Sequence, residues 1–338
     1  MMRTKLLLDL IQCPQVPGYA SEHIPWSGVG SYTDAMYRIL LHRKWTDLPR
    51  HMIAGMTASV FQLVVDRRLT TESISAYNWM AENFVAADFI GITTGQHGGF
   101  SFEPTFPLYQ KQALLDIKAS IDRGVGAIVW HDQFVICAGY DDGEQVLFIC
   151  ESNGNKVIHL PYDSFGRNST PYWYYQVLES HKSIDQWEVC KESLIQAVYK
   201  WETHDYMLPH HDYACGAAAY AAIADALESG TYETDQAAGV LRYYAKSRQD
   251  IASYVGGLGH LSDQMIHVIR EYVLLSDLYT QIMEKVEDSA WDAKEQGHVQ
   301  RVIHLIAKAG ETEQCAIDAI KHGFPETIGN RFEDIGLR

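Results

Sequence analysis

Across 338 residues the chain has no Cys-x-x-Cys pair; its six cysteines, Cys13, Cys137, Cys150, Cys190, Cys215 and Cys315, stand far apart. That spacing gives no support to a closed structural zinc site, and no metal is expected. Basic residues are also scarce: 27 Lys and Arg face 43 Asp and Glu, a formal net charge of −16, with no basic run of five or more. Phosphate backbones are held mainly by Lys and Arg, so a nucleic-acid partner is excluded. No apolar run reaches the 18 residues of a membrane span, and none is expected to cross a bilayer. The early KLLLDLIQC is too short for a secretory core and is interrupted by Asp9, so residues 4 to 12 read as a strand. Without an export signal the thiols are expected to be reduced, which points to the cytoplasm. Low-complexity segments and fixed-period repeats are lacking too. Gly256-Gly257-Leu258-Gly259-His260 lacks the preceding strand and the Gly-Lys-Ser/Thr ending of a phosphate loop. It reads as a helix-breaking linker, and no cofactor is expected.

What is present is an ordinary globular composition, 47% apolar and 21% charged, long enough for a full core and about two domains. The most informative stretch is Asp116 to Ser152. It reads as a helix ending near Arg123, a Gly124 stop, and three strands: GAIVW, QFVICAGY and QVLFICE. Asp141-Asp142-Gly143-Glu144 should turn the second strand into the third, with the glycine taking positive φ. His131, Asp132 and Gln133 precede one strand, and Glu151 and Asn153 close another. Polar groups at the rim of a stiff sheet can be pre-organised for chemistry, although most such residues are only solvated. Cys137 and Cys150 lie inside apolar runs and read as small core residues.

Upstream, Pro14, Pro17 and Gly18 mark a loop, and Ser27 to Ser31 form a flexible approach to a helix. Ser31 would cap that helix, Asp34 would sit near its positive end, and Ala35, Met36, Ile39 and Leu40 would form its apolar face. HMIAGMTASVFQLVVD suits a tightly packed turn and a buried element. Thr71 to Ala87 reads as a helix, DFIGITT as a strand, residues 95 to 109 as a Gly, Pro and aromatic loop, and Ala113 to Arg123 as the helix feeding the central stretch. HLPYDSFG is a turn and YWYYQVLE an aromatic strand. From about residue 183 the composition becomes helical. Met265, Val268, Tyr272, Leu275, Tyr279, Ile282 and Val286 step by three and four along one helix face. A last helix carries Val302, Ile303, Ile306 and Ala309 and stops at Gly323 and Pro325. This half reads as a helical bundle.

Ile121-Asp122-Arg123-Gly124, Gln133-Phe134-Val135-Ile136, Gly139-Tyr140-Asp141-Asp142 and Ile149-Cys150-Glu151 together resemble the second half of C39-like, papain-fold proteins. Residues 28 to 65, with Ser-Tyr-Thr-Asp-Ala-Met and Gly55-Met56-Thr57-Ala58-Ser59-Val60-Phe61, are similar to the first lobe of the butirosin biosynthesis protein H N-terminal family. Members of that family often carry a following helical domain, which the segment around Gly216-Ala217-Ala218-Ala219-Tyr220 resembles. The resemblance implies an α+β fold: a papain-like domain over residues 1–180 and a helical bundle over 183–338. It also implies acyl or amide transfer by a thiol, with a small amine, a peptide or an acyl-carrier group as ligand.

The chain departs from the family where the chemistry would sit. The Cys position falls on Gly30 and the His position on Gln133, which cannot take a proton near neutral pH; only the acid position, Glu151, is compatible. A papain-type reaction needs a thiolate lowered in pKa by imidazole and a helix N-terminus. The leading expectation is therefore a catalytically degenerate protein that keeps a binding cleft, with Gln133 and Glu151 facing each other beside the helix that starts near Ser31. The alternative is an acyl- or amide-transfer enzyme using Ser31 and His131 in altered roles; the plainer account of those two is an N-cap and an exposed strand-end histidine. A third reading is a scaffolding oligomer held by the helical half. His210, His211, Asp212 and Cys215 include metal-capable types, with 211 and 215 on one helix face, but they read more simply as a helix start and a packed thiol. Trp26, Trp130, Tyr172 and Trp173 could wall a cleft or fill a core.

Overall fold

The computed structural model describes residues 4–12, 30–151, 157–260 and 262–325. In chain order the elements begin with β1 (Lys5–Leu7), α1 (Gly30–Arg43), α2 (Arg50–Met56), β2 (Val64–Asp66), α3 (Trp79–Phe89), β3 (Ile92–Phe100) and α4 (Phe106–Asp122). There follow β4 (Ala127–Trp130), β5 (Phe134–Asp141), β6 (Val146–Glu151), β7 (Val157–Pro161) and β8 (Tyr172–His181). The remainder is α5 (Gln186–Glu202), β9 (Tyr213–Cys215), α6 (Ala217–Ser229), α7 (Thr234–Leu258), α8 (Met265–Val286), α9 (Ser289–Asp292) and α10 (Gln296–Gly323). The chain is thus mixed α and β, with a helical C-terminal region, as expected. Among the described residues no helix is long and apolar enough to cross a membrane.

Two compact units result. The first comprises residues 1–53 and 90–183, the second 54–89 and 184–338. The break after Ser183 falls where the composition changes, but residues 54–89 group with the helical part, so the units are not two consecutive blocks divided near residue 180.

The first unit is built on an antiparallel sheet in the order β3-β8-β4-β5-β6-β7, with β1 pairing the end of β5. Strict alternation along the strands sorts its side chains onto two faces. Val129, Val135, Cys137, Ile149, Tyr175 and Val177 form one core with Phe106, Ala113, Ile117 and Ile121 of α4. The opposite parity, with Ile128, Phe134, Ile136, Cys150, Tyr174 and Gln176, is buried as well. A helix is needed on that side too, and α1 supplies it: Tyr32 to Leu40 is buried at every position. The polar members of α1 are paired, Asp34 with Arg50, and Arg38 with the Leu10 carbonyl at 2.9 Å. Gly124, at φ 79°, ends α4 as read. In the β5–β6 turn the positive φ falls on Gln145 (56°) rather than on Gly143, because Asp141 Oδ1 accepts the Gly143 and Glu144 amides and organises the turn itself.

Several element boundaries shift from the sequence reading. Residues 95–100 continue β3, whose Gly95 to Phe100 pair with Val177 to Tyr172, and α4 starts at Phe106. The stretch from Thr71 divides into a 3₁₀ turn (Thr71–Ser75) and α3. Only Lys5–Leu7 of the first apolar run is strand, followed by a 3₁₀ turn. His159, Leu160 and Pro161 belong to β7 rather than to a turn. Cys13 and Trp26, the loop over 14–29 and Asn153 lie outside the described residues.

In the second unit, Asp185 caps α5 by accepting the Trp187 and Glu188 amides. The α8 stripe is buried along its length, from Met265 through Tyr272, Leu275 and Tyr279 to Val286. Since α7 and α10 cover it within the same chain, it needs no second subunit. The Gly256–Gly259 segment does not break a helix where expected; α7 runs through it to Leu258. Residues 213–215, read as helix, form β9 against β2. A tyrosine cluster surrounds the fully buried Arg248–Glu313 pair, with both Glu313 oxygens accepting from Arg248 Nη2 at 2.9 and 2.8 Å.

Candidate functional site

The face of the sheet under α1 carries the residues that the sequence singled out. α1 begins at Gly30, and two positions on, the Tyr32 ring packs edge-on against Phe134 with centroids 5.4 Å apart. Phe134 is the first residue of β5 and directly follows Gln133. The ring contact ties the first turn of α1, which Gly30 opens, to the first residue of β5, which Gln133 precedes. The side chain of Ser31, in the first turn of α1, lies outside the described residues.

Gln133 does not open the strand itself. His131, Asp132 and Gln133 form a three-residue hairpin loop between the paired Trp130 and Phe134, closed by the His131 amide on the Gln133 carbonyl at 2.8 Å. Asp132 takes a positive φ of 58°, which polar short side chains tolerate best. Its carboxylate is committed, accepting from the Ser169 amide at 2.9 Å and hydroxyl at 2.6 Å. All three loop residues are half-buried. The backbone of Glu151 pairs with Val135, while Cys150 pairs with Ile136. The Glu151 side chain lies outside the described residues.

What faces α1 is a neutral hydrogen-bond network. Tyr32 donates to Gln176 Oε1 (2.9 Å), Gln176 Nε2 donates to Gln96 Oε1 (3.1 Å), and Tyr174 donates to the same Gln96 oxygen (2.7 Å). Gln176 and Tyr174 are fully buried. Amides and phenols in such a chain bind and orient, but none is a nucleophile or a base near neutral pH. The sequence does not reveal this network: Gln96 stands in a Gly, Pro and aromatic stretch with loop chemistry, and Tyr174 and Gln176 lie within an aromatic strand. Their i, i+2 spacing was the available signal, since a glutamine at a buried strand position requires a partner.

The thiols of this unit are remote from such a role. Cys137 is fully buried and its thiol is pushed up to about 12 by desolvation. Burial raises Cys150 as well, against a lowering from the nearby Arg38. Trp130 and Trp173 are buried core residues, whereas Tyr172 is exposed. In the helical unit His211 lies in a turn and Cys215 in β9, so they share no helix face, and burial raises the Cys215 thiol. Among the described residues no group of three or more His, Cys, Asp or Glu could hold a metal ion. No family model matches the chain, and no curated protein is significantly similar to it.

Proposed function

We propose that the first unit is a papain-like scaffold, similar to the butirosin protein H N-terminal family, that binds a small amine, peptide or acyl-carrier ligand without thiol catalysis. The carrying observation is the packing of Tyr32, in the first turn of α1, on Phe134 at the start of β5, since the resemblance calls for a thiol at Gly30 on that helix and an imidazole at Gln133 before that strand. A glycine supplies no nucleophile and an amide no base. The adjoining Tyr32, Gln96, Tyr174 and Gln176 are spent on one another and hold α1 to the sheet without adding a reactive group. Acyl transfer through Ser31 and His131 draws on the same proximity, but His131 belongs to the hairpin loop and has no ring hydrogen bond among the described residues.

The test restores the missing pair. Gly30→Cys alone should give a thiol that alkylates with a midpoint at or somewhat below the ordinary value of about 8.5, the helix N-terminus being its one aid. Adding Gln133→His should lower that midpoint by about a unit or more, because an imidazolium stabilises the thiolate. The unmodified protein should turn over neither generic esters nor amides in a thiol-dependent way. An unchanged midpoint in the double variant, or native turnover abolished by alkylation of one cysteine, would overturn the proposal.

A further inference from the structure

A second site, independent of the first, lies wholly within the helical unit. A cavity of about 350 Å³ opens between α3, α5 and the segment 203–206, with Leu63, Val64, Ala81 and Val85 as its apolar wall. That volume is at the small end of ligand sites. Gln196, on α5, lines the cavity and is only 7% exposed, yet its amide has no hydrogen-bond partner among the described residues. Its polar atoms reach the cavity, so whatever occupies the cavity supplies their partner.

The charges on the lining indicate what that is. Glu82 and Asp205 contribute two carboxylates, and Lys200 one ammonium, which is paired with Glu82 Oε2. Asp205 is fixed in place: its two oxygens accept the Asn78 amide at 3.0 Å and the Met207 amide at 2.9 Å. One cation against two anions leaves the lining short of positive charge. Tyr199 and Tyr206 also line it, and their rings suit a cation better than an anion.

We infer that this cavity binds a small organic molecule carrying a protonated amine and, beside it, a hydroxyl or carbonyl group. The amine balances Asp205, the carboxylate that Lys200 leaves without a cation, and the hydroxyl or carbonyl satisfies Gln196. Anionic ligands are disfavoured by the same carboxylates.

The experiment is calorimetric titration of the full chain with ethanolamine and tyramine, with ethylene glycol and acetate as controls. Both amines should bind saturably and neither control should. Gln196→Leu should weaken the amines by about tenfold, the worth of one hydrogen-bonding group, while leaving the unliganded melting temperature unchanged or raised. Ala81→Phe, which fills the cavity from the α3 side, should abolish binding, and it provides the readout should the first variant fail to fold. Absence of saturable amine binding, equal binding of either control, or undiminished binding in Ala81→Phe would overturn the inference.

Discussion

Arg248 is wholly enclosed, and its charge is tolerable only because Glu313 meets it and Tyr220 donates to the same carboxylate. Tyr244 and Tyr279 add ring faces at 5.3 and 5.8 Å. Breaking a buried pair from one side leaves an uncompensated charge, so Glu313→Ala should cost about 3–5 kcal/mol in a urea denaturation. Arg248→Met combined with Glu313→Leu should be far milder, since it removes both charges together. The tyrosines around the pair make a second, pH-dependent prediction. Burial is the largest influence on Tyr279 and, against the nearby Arg248, pushes its phenol up to about 12, from about 10 in an unfolded chain. The folded state therefore holds this proton where the unfolded state has released it. Stability from this group is complete below about pH 10 and is lost as the pH rises toward about 12. Tyrosinate absorbance followed beside circular dichroism should show the buried phenols ionising with unfolding, not ahead of it. Ionisation well before loss of helix would mean the cluster is open to water.

Elements with a strong period were legible from sequence, and those organised by tertiary pairing were not. The α8 stripe could be read because steps of three and four put Met265 to Val286 on one side, and that side is buried. Leu275 is fully enclosed, so Leu275→Ala should cost about 2–5 kcal/mol, measured as a shift in denaturation midpoint at constant slope. A shift within error would show that the helix does not pack there. β4, β5 and β6 were legible for a similar reason, their apolar runs being bounded by Gly124 and the acidic turn. By contrast, Gly95 to Phe100 carries loop chemistry and becomes strand only because β8 offers a complete edge to pair with. Tyr213 to Cys215 becomes a strand only against β2, some 150 residues earlier in the chain. Of the candidate site, the packing of the helix that opens at Gly30 beside the strand that follows Gln133 could be read from motifs. The Tyr32–Gln176–Gln96–Tyr174 network could not, because the spacing of Tyr174 and Gln176 signals only that a buried glutamine needs a partner, and hydrogen bonds across distant elements leave no pattern that says which.

At the scale of the whole molecule, the helical unit is discontinuous in sequence. Residues 54–89 leave the sheet-bearing unit and supply parts that residues 184–338 cannot replace. β2 pairs with β9, so the three backbones from Tyr213 to Cys215 lose their partners without it. The buried Tyr244 hydroxyl donates to the Val64 carbonyl and accepts its amide, and Ser247 donates to the Val60 carbonyl at 2.6 Å. Gly55 is part of the same fit: a Cβ there would stand 2.1 Å from the Tyr254 ring, so that tyrosine is shaped to a bare backbone. A fragment beginning at Ile184 would expose these polar groups and apolar surfaces at once, each unpaired buried group costing about 1–3 kcal/mol. Domain stability is only about 5–15 kcal/mol in total, so the loss is large enough to abolish cooperative folding. A fragment of 184–338 should therefore show helix by circular dichroism but no sharp thermal transition. The same fragment with 54–89 joined ahead of it through a flexible linker should regain one. Helices within 184–338 are long enough to form part of their structure locally, which is why the transition, not helix content, is the deciding measurement. A sharp transition in the shorter fragment would show that residues 54–89 are an appendage to the helical unit and not a member of it.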